Sequence, residues 1–168
     1  MRGTPGIAAR PESTPAGRRP ERVLKVVFGL DCTGGCSYCA LKTSQGFPRA
    51  RRHRLEPAIA EPRIREAARK YELSGLEVGA GETFDQPELW EWLLALNARD
   101  LNVPVMAFTS GLSKHTSRVL RAIEASPAPV LLLFSYDGRR SERNAGNWRE
   151  VEVALRATRA RLSNAPHV

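Results

Sequence analysis

The sequence is poor in cysteine, in long apolar runs and in acidic residues. Only 3 of its 168 residues are cysteine. This argues against a small secreted module held by disulfides, because such modules are shorter and richer in cysteine. No apolar run approaches the roughly 20 residues of a membrane-spanning helix. Arg18-Arg19 is not followed by a hydrophobic segment, so the amino terminus does not predict a signal peptide. These absences predict a cytoplasmic protein without membrane segments.

Basic residues outnumber acidic ones, 26 Lys and Arg against 18 Asp and Glu, which leaves a formal net charge of +8. Arginine-rich stretches at residues 1–22 and 49–54 carry much of this excess. Such stretches can neutralise nucleic-acid phosphates. Solvated charge on a tail and a loop is the favoured interpretation, which argues against a nucleic-acid partner. Residues 1–21 contain four prolines and no apolar period. They predict a disordered basic tail ahead of one domain at residues 22–168.

Apolar runs and helical patterns alternate four times after this tail. Strands are predicted at residues 23–30, 76–79, 103–109 and 130–134, of which the last, VLLLF, has the most buried pattern. The predicted helices are Pro62 to Leu73 ended by Gly75, one capped by Asp85 with Glu88, one opening at Ser113, and one from Asn147 to Leu162. Continuous apolar strands are typical of parallel strands covered on both faces. The pattern therefore predicts an α/β fold, a partial (βα) TIM-like barrel of about four βα units with parallel strands.

All three cysteines lie in one stretch, GLDCTGGCSYCA, as Cys32, Cys36 and Cys39 directly after the first predicted strand. Gly34-Gly35 disfavours a helix there and allows a tight turn whose N–H groups approach an anion. An iron–sulfur cube normally takes four thiolates, so a cluster held by three leaves one iron open. The alternative is a structural zinc site with His53 as its fourth ligand, which is legitimate Cys3His chemistry.

The C-x3-C-x2-C spacing, with Tyr38 before the third cysteine and a strand before the first, resembles the motif of the radical S-adenosylmethionine (SAM) superfamily. The resemblance implies that the three cysteines hold a [4Fe-4S] cluster and that SAM chelates its open iron. It implies cleavage of SAM to a 5′-deoxyadenosyl radical that abstracts hydrogen from a substrate. An external donor such as flavodoxin or ferredoxin would supply the electron, and Tyr38 would lie beside the adenine.

Three further segments resemble family motifs that follow successive strands. Ala80-Gly81-Glu82 stands where the family has Gly-Gly-Glu near the SAM amino group, and Thr109-Ser110-Gly111 resembles its Thr-Asn-Gly. Ser135-Tyr136-Asp137-Gly138 resembles the Ser-x-Asp-Gly of the branch that modifies peptides and matures enzymes, which implies a peptide or protein substrate. The motifs imply that SAM is bound by these residues: Ala80, Gly81, Glu82, Thr109, Ser135 and Asp137.

The resemblance covers residues 23–162 and departs from the family in the number of units. The family core usually has six βα units and a glycine-rich, adenine-contacting motif on the fifth strand, which four units do not supply. The chain is therefore expected to be an N-terminal core that needs a C-terminal continuation or a partner subunit. Two alternatives stay open: a zinc protein that binds nucleic acid, and a remnant that keeps the cluster loop without catalysis. Trp90, Trp92 and Trp148 are predicted to be packing residues.

Overall fold

The computed structural model describes residues 22–30, 32, 54–135 and 148–163, so the predicted tail lies outside it. Strands and helices alternate along these ranges, as the sequence predicts. A 3₁₀ turn at Thr83–Asp85 and a π-helical turn at Asn97–Leu101 accompany the second helix. The main elements are β1 (Val23–Val27), α1 (Pro57–Tyr71), β2 (Gly75–Gly79), α2 (Pro87–Leu96), β3 (Val105–Thr109), α3 (Thr116–Glu124), β4 (Val130–Phe134) and α4 (Trp148–Leu162).

The four strands form one parallel sheet in the order β1-β2-β3-β4, so consecutive strands are neighbours. Val27 at the end of β1 lies opposite Gly79 at the end of β2, and Thr109 lies opposite Phe134 at the ends of β3 and β4. All four carboxyl ends therefore meet at one edge, where ligands bind in open parallel sheets. The structure thus confirms an α/β fold whose four-stranded parallel sheet alternates with helices.

The core lies on one face of the sheet. Buried and more exposed side chains alternate along β1 and β3, as a sheet with one covered face requires. Each helix contributes to the same cluster, through Ile64 of α1, Trp90 of α2, Val119 of α3 and Leu162 of α4. Full burial of a valine, leucine or isoleucine side chain stabilises the fold by roughly 1.5–3 kcal/mol. The strand side chains of this cluster share one face: Val26, Phe28, Leu76, Val78, Val105, Ala107 and Val130.

Trp90 holds the turn that follows β2. Its side chain is fully buried, and its indole Nε1 donates a 3.0 Å hydrogen bond to the Thr83 carbonyl. Phe28 and Phe84 each meet the indole edge to face, with ring centroids 5.8 Å apart. Because Thr83 follows Glu82 directly, this packing fixes the chain just beyond the carboxyl end of β2. The prediction that Trp90 is a packing residue is confirmed.

The opposite face of the sheet is exposed, which corrects the prediction that both faces are covered. Val23, Val27, Phe108 and Leu131 are 48%, 40%, 44% and 57% exposed there. β4, predicted to be the most buried strand, is an edge strand in which only Val130 is buried. An apolar run predicts a strand but not its burial, because edge and central strands favour the same β-branched and aliphatic residues.

α1 begins earlier than predicted. Pro57 occupies its first turn, and Pro62, predicted to start the helix, lies inside it. Glu72 ends the helix in a left-handed conformation with φ 48°, and its N–H donates a 3.1 Å hydrogen bond to the Ala68 carbonyl. Gly75, predicted to end the helix, is the first residue of β2. Both prolines satisfy the rule for a first helical turn, so the rule alone does not decide between them.

The predicted capping box of α2 is wrong. Asp85 lies in the preceding 3₁₀ turn, so the cap position falls on Gln86, whose side chain makes no capping hydrogen bond. Glu88 faces α3 instead, where its Oε1 accepts a 2.9 Å hydrogen bond from Arg118. Arg118 also donates 2.7 Å hydrogen bonds to both carboxylate oxygens of Glu91. The hydrogen bonds from Arg118 connect α2 with α3 at the surface. Those that reach Glu91 lower the pKa of its carboxyl.

The start of α3 is also later than predicted. Ser113, predicted to open the helix, accepts a 3.1 Å hydrogen bond from the His115 N–H, and the helix begins at Thr116. β3 begins two residues after its predicted start, whereas β4 spans its predicted residues. The predicted cap at Asn147 lies outside the described residues, and α4 ends at Leu162 as predicted. Within the described ranges, no helix is long and apolar enough to cross a bilayer.

Candidate functional site

The carboxyl edge of the sheet carries the predicted site residues that the structure describes. Because parallel strands share this edge, residues from four separate motifs come together there. Cys36, Cys39, Tyr38 and Asp137 lie outside the described residues. The others are distributed over the four strand ends: Cys32 beyond β1, Ala80, Gly81 and Glu82 after β2, Thr109 at the end of β3, and Ser135 after β4.

The segment that carries the cysteines starts and ends beside the carboxyl end of β1. Gly29 and Arg54 pair in an antiparallel bridge, and the Leu55 N–H donates a 2.8 Å hydrogen bond to the Phe28 carbonyl. Cys32, the cysteine nearest to β1, is half-buried. The chain on both sides of the cysteines is thereby tied to the sheet edge that carries the other predicted site residues.

The turn after β2 uses two consecutive residues in the left-handed region. Ala80 has φ 67° and Gly81 has φ 63°. Glycine adopts this conformation freely, whereas an L-residue with a Cβ loses roughly 1–2 kcal/mol in it. The strained alanine stands where the resembling family has its first glycine. Backbone strain of this kind is concentrated at functional sites.

Glu82 is buried, with 4% of its surface exposed, and accepts hydrogen bonds at both carboxylate oxygens. Oε1 accepts from the Thr109 hydroxyl at 2.6 Å and from the Phe84 N–H at 3.1 Å. Oε2 accepts from the N–H of Ser110 at 2.8 Å and from its hydroxyl at 2.6 Å. The carboxylate therefore links the carboxyl end of β2 to that of β3.

Thr109 extends this link to β4. Its hydroxyl donates to Glu82 and accepts a 2.9 Å hydrogen bond from the Gly111 N–H. Its carbonyl accepts a 2.8 Å hydrogen bond from the N–H of Ser135, which is exposed. Glu82, Thr109 and Ser135, three of the predicted binding residues, are thus connected in one hydrogen-bonded set.

The electrostatics of this set are unusual for a buried carboxylate. The recorded contacts of Glu82 within the described residues are with neutral donors, namely two hydroxyls and two backbone N–H groups. Buried charges in proteins are usually paired with an opposite charge or a metal, because removing a charge from water is costly. The hydrogen bonds stabilise the carboxylate without neutralising it. A ligand N–H group could take the place of one of these donors and form a charge-assisted hydrogen bond with the carboxylate.

Ser110 is not among the predicted binding residues, yet it supplies two of the four hydrogen bonds to Glu82. The sequence feature that could have identified Ser110 is its place in the motif Thr109-Ser110-Gly111, where a residue with a hydroxyl stands in place of the family's asparagine. Thr83 is a second residue that the sequence pattern does not single out. Its hydroxyl donates a 3.0 Å hydrogen bond to the Phe108 carbonyl and so adds another link between the turn after β2 and β3.

A cavity of about 590 Å³ lies beside β1 and α1 and reaches Gly29 and Arg54, which flank the cysteine segment. Its lining is largely apolar and includes Lys25, Arg54 and Arg63, but none of the predicted SAM-binding residues that the structure describes. The candidate site is therefore the strand edge at Glu82, where buried polar groups converge, and not this cavity.

The candidate site consists of a buried carboxylate and its hydroxyl partners at the edge where the cysteine segment departs and returns. Among the residues that the structure describes, no three His, Cys, Asp or Glu side chains are grouped as metal ligands. Two of the three cysteines lie outside those residues. Comparisons of the chain with protein-family models, with curated proteins and with solved structures find no match.

Proposed function

We propose that this chain is a radical SAM enzyme, or the N-terminal core of one, in which Cys32, Cys36 and Cys39 hold a [4Fe-4S] cluster. The observation that carries the proposal is the common edge: the cysteine segment is tied to the end of β1, and Glu82 lies buried after β2 at the same edge. The cluster would supply the electron that cleaves SAM to a 5′-deoxyadenosyl radical. A flavodoxin or ferredoxin type of donor would reduce the cluster.

The residues at this edge fit the chemical groups of SAM. Its amino group, which would bind iron as the neutral amine, would keep N–H bonds that can donate to the Glu82 carboxylate, whose partners in the described chain are neutral. Ser135, which is exposed beside Thr109, can hydrogen-bond a hydroxyl-bearing ligand. We assign the same role to Asp137. Three thiolates fit a cube with one open iron, which a ligand that carries both an amino and a carboxylate group can chelate.

The proposed architecture is a partial barrel. The strand order follows the chain, and the core cluster on one face draws side chains from all four helices, as in the wall of a βα barrel. The exposed face, with Val27, Phe108 and Leu131, would then line the interior. The Ser-x-Asp-Gly resemblance favours a peptide or protein as the substrate in that interior.

Substitutions of the two carboxylates test SAM recognition. Glu82→Gln and Asp137→Asn are each expected to leave the cluster in place and to weaken SAM binding by roughly 1–3 kcal/mol, because each removes a charge-assisted hydrogen bond. Calorimetric titration of the reconstituted protein with SAM measures the effect. Glu91→Gln is the matched control, since Glu91 lies on the exposed surface of α2, where it pairs with Arg118 at 2.7 Å. Wild-type affinity in both site variants would remove Glu82 and Asp137 from the proposed site.

A second expectation concerns the free edge of β4. Within the described ranges, β4 pairs only with β3, so its other edge has no strand partner there. An apolar strand with a free edge tends to pair with another strand. Radical chemistry also needs walls that exclude water. We therefore expect the isolated 168-residue chain to cleave SAM slowly and without coupling to a substrate, unless a continuation or a partner completes the barrel.

The measurement is 5′-deoxyadenosine production by the isolated chain, with its mass in solution determined in the same samples. Slow, uncoupled production agrees with an incomplete barrel. Rapid, substrate-coupled turnover by a stable monomer would contradict it and would show that four βα units are sufficient.

A further inference from the structure

The acceptor positions of the Glu82 carboxylate are all occupied by the protein's own donors. A carboxylate offers about four lone-pair positions, two on each oxygen. The Thr109 hydroxyl and the Phe84 N–H occupy those of Oε1, and the N–H and hydroxyl of Ser110 occupy those of Oε2. A ligand N–H group that donates to Glu82 must therefore displace one of these four donors.

The four donors differ in how readily they can move. Two are backbone N–H groups, of Phe84 in the 3₁₀ turn and of Ser110 directly after β3, and their directions are set by the chain. The Thr109 hydroxyl belongs to a residue that is 2% exposed, and it also accepts the hydrogen bond from the Gly111 N–H. The Ser110 hydroxyl is on a half-buried residue and rotates about a single bond. Among the described residues, its one other contact is a long 3.3 Å hydrogen bond from the Leu112 N–H.

We infer that the Ser110 hydroxyl occupies the position on Glu82 Oε2 that an N–H of the SAM amino group takes on binding, so that Ser110 sets the affinity for SAM. This inference rests on the proposed function. In the ligand-free protein the hydroxyl stabilises the buried carboxylate at 2.6 Å. On binding it rotates away and loses this hydrogen bond. The free energy lost with this hydrogen bond is subtracted from the gain of the contact between the SAM amino group and Glu82. Ser110 is thus an affinity-determining residue, while Glu82 makes the contact.

The test is Ser110→Ala, which removes the hydroxyl and keeps the backbone N–H. With no protein hydroxyl to displace, the reconstituted variant is expected to bind SAM about three- to tenfold more tightly than the wild type. The ligand-free variant is expected to melt about 2–4 °C lower, because it lacks one hydrogen bond to a buried charge. Ser110→Thr keeps a hydroxyl at the same position and is the matched control, with wild-type affinity and melting temperature expected.

A SAM analogue without the amino group identifies which part of the ligand responds. It is expected to bind the wild type and Ser110→Ala with equal affinity, since it brings no N–H donor to Glu82. An equal or weaker affinity of Ser110→Ala for SAM would overturn the inference and leave the proposed function standing, as would an equal gain in affinity for the analogue. Failure of the reconstituted wild type to bind SAM at all would overturn the proposed function, and the inference with it.

Discussion

Replacing Cys32, Cys36 or Cys39 by alanine is expected to abolish stable cluster binding after anaerobic reconstitution. A [4Fe-4S] cube normally has four thiolate ligands, and this chain contains three cysteines in all. Removal of any one leaves two thiolates, which hold a cube poorly. Iron and acid-labile sulfide contents of each purified variant, together with its visible absorption, measure the loss. The effect should be nearly complete, and the same for all three positions.

His53→Ala is the control that separates the cluster from a zinc site. In the zinc alternative, His53 is the fourth ligand, so its removal would reduce metal content as much as the loss of a cysteine. In the cluster assignment, His53 has no role, and the variant retains iron and sulfide. Full iron and sulfide in any of the cysteine variants would contradict the assignment of that cysteine as a ligand.

Gly111→Ala is expected to lower the free energy of unfolding by roughly 2–4 kcal/mol. Gly111 follows β3 with φ 72°, a backbone conformation that residues with a Cβ rarely adopt. An added Cβ would lie 2.6 Å from Cε1 of Phe134 on β4 and 3.1 Å from the Cβ of Ala154 on α4. The strain would therefore fall where β3, β4 and α4 meet, beside the Thr109 hydroxyl. Urea unfolding monitored by circular dichroism gives the free energy.

Gly79→Ala is the matched control, because Gly79 ends β2 at the same edge of the sheet. Its added Cβ would lie 2.9 Å from Cε of Lys25, the far end of a flexible side chain that is 58% exposed and can move aside. Its unfolding free energy is expected to stay within about 1 kcal/mol of the wild type. Equal losses of unfolding free energy in Gly111→Ala and Gly79→Ala would contradict this explanation. They would mean that the contacts of the added Cβ with Phe134 and Ala154 do not cause the effect of Gly111→Ala.

The order and type of the elements could be predicted because each strand is a short apolar run followed by a helical pattern. The limits of β4 and the end of α4 agree with the prediction for this reason. Local rules were less decisive at helix starts. Pro57 and Pro62 both fit a first helical turn, and the structure uses Pro57. The burial of β4 was not predictable either, since it depends on whether another strand follows it in the sheet.

The position of the described candidate residues at one edge of the sheet could be predicted, but their contacts could not. The motifs end successive strands, and the parallel order brings them to one edge. The hydrogen bonds from Thr109 and Ser110 to Glu82, however, join residues 27 and 28 positions apart. No local pattern specifies such contacts, because they depend on the strand register and on the left-handed turn at Ala80 and Gly81. That is why Ser110 is identified as a site residue only in the folded chain.

The cluster assignment is tested by metal and sulfide analysis of the anaerobically reconstituted wild-type chain, with its electron paramagnetic resonance spectrum recorded before and after SAM is added. We expect about four irons and four sulfides per chain, as in a single cube. We also expect the spectrum of the reduced cluster to change when SAM occupies the open iron. One zinc per chain without sulfide, or a cluster whose spectrum does not respond to SAM, would contradict the proposed function.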